Sequence, residues 1–107
     1  MFTGNEDQLI SLSEGSALTA NFRAWLEATQ SSDPTLGEYH SKALIESILA
    51  QDGCVGVRSY YGMDADGKRK LVLVGVTANE NDIVDGVLGD RSYKCPPHSG
   101  NANSLNS

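Results

Sequence analysis

The chain has no apolar run near the roughly 20 residues that a membrane-spanning helix requires. Its start, MFTGNEDQLI, lacks the basic and apolar regions of a secretory signal. The expectation is therefore no membrane insertion and a cytoplasmic location. Basic charge is scarce: 8 Lys and Arg stand against 14 Asp and Glu, for a net charge of −6. Phosphate neutralisation needs clustered cations, and the one basic run, Lys68-Arg69-Lys70, sits at a turn. Nucleic acid is not an expected partner. Two cysteines, Cys54 and Cys95, are too few for a disulfide scaffold. No catalytic or cofactor motif and no internal repeat is present, so neither an enzyme nor a bound cofactor is expected. The length allows one domain with a modest core.

What is present reads as a small soluble α+β domain. Residues 1–10 form a polar lead-in. Ser11-Leu12-Ser13-Glu14 fits a capping box and opens a helix. Leu18, Phe22, Trp25 and Leu26 recur on one stripe of it, and the helix should end near Thr29. Gln30 to Pro34 is a loop by composition. A second helix is expected from Gly37 or Glu38 to Gln51, with Leu44, Ile45, Ile48 and Leu49 buried and Gly53 just past its end. His40 falls at the edge of that stripe.

Two strands follow, Cys54–Tyr61 and Lys70–Val76, joined by the turn residues Asp64-Ala65-Asp66-Gly67. A turn centred on Asp66-Gly67 pairs Tyr61 with Val72, Ser59 with Val74 and Val57 with Val76. Alternation then puts the valines on one face, a floor for two helices. The other face holds Cys54, Gly56, Arg58, Tyr60, Leu71, Leu73 and Gly75 and lacks a cover. A two-stranded ribbon is marginal alone, so a third strand, the C-terminal segment or another subunit must complete it. Asn81 or Asp82 suits the cap of a short helix over residues 83–88, weakened by Gly86 and Gly89. From Cys95 the chain is irregular. Residues 98–107 should be a flexible polar tail beyond a domain of residues 11–97.

The string Gly53-Cys54-Val55-Gly56, Arg58, Tyr60-Tyr61-Gly62 is followed by Asp64-Ala65-Asp66-Gly67-Lys68 and Leu71-Val72-Leu73-Val74-Gly75-Val76. With Cys95-Pro96-Pro97 and Leu105-Asn106-Ser107, it resembles a family of short uncharacterised bacterial proteins. The resemblance covers most of the chain and implies no activity. Relatives read C-P-P-x-C in the tail. Ser99 stands here in place of the second cysteine, so a metal or disulfide role for that pair does not carry over.

Three constellations could carry chemistry. Cys95-x-x-His98 has the spacing of a metal half-site, and Cys54 could complete an open three-ligand site. The bland reading is two free thiols and a tail histidine, with a Cys54–Cys95 bridge as a third possibility. Arg58 with Tyr60 could hold an anion or pair with a carboxylate. Arg58, Tyr60, Leu71 and Leu73 together form an expected interaction surface, with Gly56 and Gly75 permitting close approach. The leading expectation is an interaction or structural module that forms a homo-oligomer or binds a protein partner. The alternative is a small-ligand or metal-binding protein using Cys54, Cys95 and His98.

Overall fold

The computed structural model describes residues 1–107. The elements run α1 (Leu12–Thr29), β1 (Gly37–Tyr39), α2 (Lys42–Leu49), β2 (Cys54–Met63), β3 (Arg69–Thr77), β4 (Leu88–Gly89) and β5 (Tyr93–Cys95). The class is α+β. Ser11 caps α1 by accepting the Glu14 N–H at 3.0 Å, and Gln30, in the left-handed region, ends it. Both limits follow the local signals in the sequence. The second helix is shorter than expected. Residues 37–39 are extended instead, because they pair antiparallel with β5, Gly37 opposite Cys95 and Tyr39 opposite Tyr93. Ser41 caps α2 by accepting the Leu44 N–H at 3.1 Å.

The hairpin forms, but its register differs by one residue from the expected one. Tyr60 opposes Val72, Arg58 opposes Val74 and Tyr61 opposes Leu71. The cause is the turn. Asp64 and Lys68 close it with the Asp64 N–H bonded to the Lys68 carbonyl at 3.0 Å. Ala65-Asp66-Gly67 is thus a three-residue loop, with Gly67 at φ +78° in the left-handed position such a loop needs. The Asp64 carboxylate accepts the Asp66 and Lys68 N–H groups, both at 2.9 Å. A one-residue slip exchanges faces between strands. Val57, Ser59 and Tyr61 now share a face with Leu71, Leu73 and Gly75, while Arg58 and Tyr60 join Val72, Val74 and Val76.

α2 covers the first of these faces. A Cβ on Gly75 would lie 3.3 Å from Ile48 Cγ2. The third strand is β4, pairing Gly89 with Leu73 and Leu88 with Val74. The short helix expected over 83–88 is absent. The chain instead turns at residues 77–81, bridges Val76 to Asp82 and returns along β3, with the Ile83 N–H on the Gly75 carbonyl at 2.9 Å. Gly89 has a packing reason to be glycine: its Cβ would sit 2.9 Å from Leu44 Cγ and nearer still to the Leu44 methyls.

Ile48, Leu73, Val74 and Val76 form the buried apolar core. Of the wider core expected from the sequence, Trp25 is 51% and Val57 37% exposed, and α1 buries no residue. The second helix alone spans the inner face, so α1 is left at the hairpin's far end. There the Arg69 guanidinium lies 5.0 Å from the Phe22 ring centroid. Arg69 in turn is held by the loop before β1. Asp33, 3% exposed, accepts the Arg69 backbone N–H at 2.7 Å and the Thr35 hydroxyl at 2.6 Å. Arg69 Nη2 donates to the Asp33 carbonyl at 2.8 Å. Burial pushes the Asp33 carboxyl up. The hydrogen bonds from Arg69 and Thr35 outweigh it and hold the group well below the usual carboxylate range.

The C-terminal segment also differs from the expected free tail. Arg23 Nη1 donates to the Leu105 carbonyl at 2.8 Å, and Ser16 Oγ to Ser104 Oγ at 2.7 Å. Leu105 Cδ2 lies 3.4 Å from where a Gly15 Cβ would be, so the segment closes onto α1. The lead-in is anchored too, with the Phe2 N–H on the Ala78 carbonyl at 2.9 Å.

Candidate functional site

The four residues expected to share one surface are divided between the two faces. Leu73 is buried and Leu71 half-buried on the α2 side of the hairpin. Arg58 and Tyr60 lie on the opposite face and converge on Asp82. Arg58 Nη1 donates to Asp82 Oδ1 at 2.6 Å, and the Tyr60 hydroxyl donates to Oδ2. The Tyr60 hydroxyl, then the Arg58 guanidinium, hold the Asp82 carboxyl below its ordinary value against burial. Of the two readings of Arg58, the carboxylate partner is the one realised. The trio ties the 77–82 turn to β2.

The three candidate metal ligands are not assembled. Cys54 Sγ donates to the Gly56 carbonyl at 3.2 Å, and Cys95 Sγ to the His98 carbonyl at 3.3 Å. Cys54 opposes Thr77, whereas β5 is held at the other end of β3 by Lys94 Nζ on the Arg69 carbonyl at 3.1 Å. The length of β3 separates them by about 25 Å at the strand rise per residue. No group of three His, Cys, Asp or Glu side chains is placed to hold a metal ion, and both thiols are free. His98 stacks on Tyr93 with centroids 4.9 Å apart.

Two features emerge that the sequence reading missed. The first is the outer edge of β2. The sheet order is β2-β3-β4, so the outer edge of the ten-residue β2 has no strand neighbour; only its start is approached, by Gly4, whose Cβ would lie 2.8 Å from the Val55 carbonyl oxygen. Tyr61 is 94% and Met63 71% exposed on it. A groove of about 480 Å³ separates them from α1, lined by Phe22, Leu36, Tyr61, Met63 and Leu71 with Arg69 among the polar groups. The run of β-prone residues from Val55 to Tyr61 is the signal for a strand, but not for its position at the edge.

The second feature is a cavity of about 650 Å³ beside the start of α2, lined by Tyr39, His40, Leu44, Asp90, Ser92 and Tyr93 among others. It lies where β3 runs on past the short β4. Glu38, which lines the groove beside β2 and not this cavity, accepts the Leu71 N–H through Oε2 at 3.1 Å, and His40 Nε2 sits 3.8 Å from the same oxygen. His40, read as the edge of a helix stripe, instead follows β1 directly. Ser92 and Asp90 carried no motif. With this geometry in hand, comparison with known proteins finds no matching family model, curated protein or solved structure.

Proposed function

We propose that the chain is an interaction module that self-associates through the open edge of β2 and the apolar groove beside it. The carrying observation is surface area. A compact monomer of 11.4 kDa exposes about 5,800 Å². This chain exposes 7628 Å². Its radius of gyration, 15.5 Å, also exceeds the roughly 13 Å of a compact domain of this length. The excess of about 1,800 Å² is more than the roughly 800 Å² that each partner contributes to a standard interface.

A second copy is the occupant that fits. Antiparallel pairing of β2 with β2 of another copy is isologous and satisfies the outward N–H and C=O groups of both. It would set Tyr61 and Met63 of each copy against the other's groove. The alternative reading, a ligand site on Cys54, Cys95 and His98, has less support, since Cys54 lies on a different ladder from Cys95 and its neighbour His98.

Analytical ultracentrifugation at micromolar to submillimolar concentration tests the reading. The chain should sediment at about twice 11.4 kDa. A Tyr61→Lys, Met63→Lys variant should be a folded monomer, because both side chains are solvent-exposed in the isolated chain. A wild type that stays monomeric throughout the range overturns the proposal.

A further inference from the structure

The hydrogen bonds around the hairpin show which backbone groups of β2 point outward. Asp64 gives its N–H to the Lys68 carbonyl at 3.0 Å, so these two form a hydrogen-bonded pair. In an antiparallel ladder such pairs alternate with non-hydrogen-bonded ones. Gly62, Tyr60 and Arg58 therefore turn their N–H and C=O groups to β3, and Val57, Ser59, Tyr61 and Met63 turn theirs outward. The far side of β3 agrees. Leu71, opposite Tyr61, gives its N–H to Glu38, and Gly75, opposite Val57, takes the Ile83 N–H on its carbonyl. The side chains of the four outward residues share one face and are all exposed.

Two features bound how a second copy pairs antiparallel with this edge. At one end the lead-in lies on the start of the strand, where a Gly4 Cβ would sit 2.8 Å from the Val55 carbonyl oxygen. At the other end β2 enters its turn through Asp64. Outward residues must oppose outward residues, so each slip moves the two-fold axis by one residue. An axis at Tyr60 sets Met63 against Val57 of the other copy and drives Asp64 and its turn onto the lead-in. An axis at Gly62 leaves Ser59 facing the other copy's turn, with its groups unpaired. An axis at Tyr61 pairs Tyr61 with Tyr61 and Ser59 with Met63, clear of both obstacles.

We infer that the two-fold axis of the self-associated form passes between the Tyr61 residues of the two copies, with the lead-in at Gly4 as the stop that sets this register. The inference rests on the self-association proposed above. Tyr61, 94% exposed in the single chain, becomes the centre of the interface, where a tyrosine serves best as an anchor. Met63 lies across from Ser59 and diagonal to Tyr61 of the other copy, a wall of its groove.

The test uses the unaltered chain. Isotope-labelled and unlabelled protein are mixed at a concentration where ultracentrifugation shows a dimer, and filtered NOE spectra record contacts between copies. Backbones approach most closely at non-hydrogen-bonded pairs, here Tyr60 with Gly62 of the other copy, and their Hα protons should give a strong contact. Arg58 with Gly62, or Tyr60 with Asp64, in its place marks a register one step away. Either result, or a dimer without contact between β2 strands, overturns the inference and leaves self-association standing. A chain that stays monomeric overturns both. In a Cys54→Ser, Cys95→Ser background, Tyr61→Cys should also bridge at least about tenfold faster than Tyr60→Cys or Gly62→Cys under mild oxidation. Only residues on the axis meet their own copy, at about 5.5 Å between Cα atoms, a span a disulfide closes. Fastest bridging at 60 or 62 overturns the register. Where a variant fails to fold or to associate, the NOE contacts of the unaltered chain decide.

Discussion

Glu38 and Leu71 are joined across two separate sheets: the glutamate side chain, not a neighbouring strand, accepts the Leu71 backbone N–H at 3.1 Å. Four residues of β3, Arg69 to Val72, extend past the end of β4. In place of strand neighbours they meet Glu38 and Lys94, one taking an N–H and the other giving to a carbonyl. Glu38→Ala should therefore cost about 1–3 kcal/mol, the penalty of an unpaired buried donor. Urea denaturation measures it. A loss no greater than that of an exposed control, Glu27→Ala, would show that the link is idle.

The pair Asp33 and Arg69 fastens the loop after α1 to the start of β3. Asp33→Ala should lower stability by about 2–4 kcal/mol, since it orphans the Arg69 N–H and leaves a half-buried cation. It should also loosen Phe22, visible as faster amide exchange in α1. Exchange unchanged in α1 would mean that Arg69 does not anchor the helix.

The same carboxylate sets an acid limit. Its folded value is depressed below the unfolded value of about 3.9. A depressed group stabilises fully above the unfolded value and loses that contribution as pH falls toward the folded one. Melting temperature should drop from about pH 4 downward, with Asp64 and Asp82 adding to the slope in the same direction. Asp33→Asn should melt lower near neutrality yet show a shallower decline. Parallel curves for the two proteins would remove Asp33 as the cause.

Gly89 and Leu44 should behave as a coupled pair. Gly89→Ala places a methyl against Leu44 and should destabilise by about 1–3 kcal/mol through overpacking. Adding Leu44→Ala should recover part of that loss instead of deepening it, a negative interaction energy in a double-mutant cycle. Strict additivity would place α2 farther from β4 than the structure does.

Ile48 is the one large side chain with no exposed surface. Ile48→Ala should cost about 2–5 kcal/mol in a denaturant melt. A near-neutral result would mean that α2 is not the lid of the hairpin.

How far this architecture is written into the chain depends on distance along it. α1 was legible from end to end because Ser11 and the apolar stripe act within a few residues of each other. The hairpin was legible in kind but not in register. Two- and three-residue loops suit the same Asp64-Ala65-Asp66-Gly67 string, and the choice between them decides which face Leu73 occupies. The third strand that could complete the ribbon came from residues 88–89, where Gly89, read as weakening a helix, is close-packed against Leu44. Least legible was the cavity. Its walls are two three-residue strands far apart in sequence, and short strands leave almost no period to read. His40 and Ser92 meet through that pairing alone. The stripe on α1 showed which side is apolar, but a stripe cannot say what it meets.

Trp25, the sole tryptophan, stands on α1 beside Phe22 with about half its surface open to water. That position makes the indole a native optical probe of this end of the molecule. Its emission needs no label, and it is well separated from the hairpin core. Solvent contact shifts indole fluorescence to the red, and enclosure shifts it to the blue. The colour of one residue thus reports separately on whether α1 has lost its hold on Arg69 or been enclosed by another surface, even while the sheet beneath stays intact.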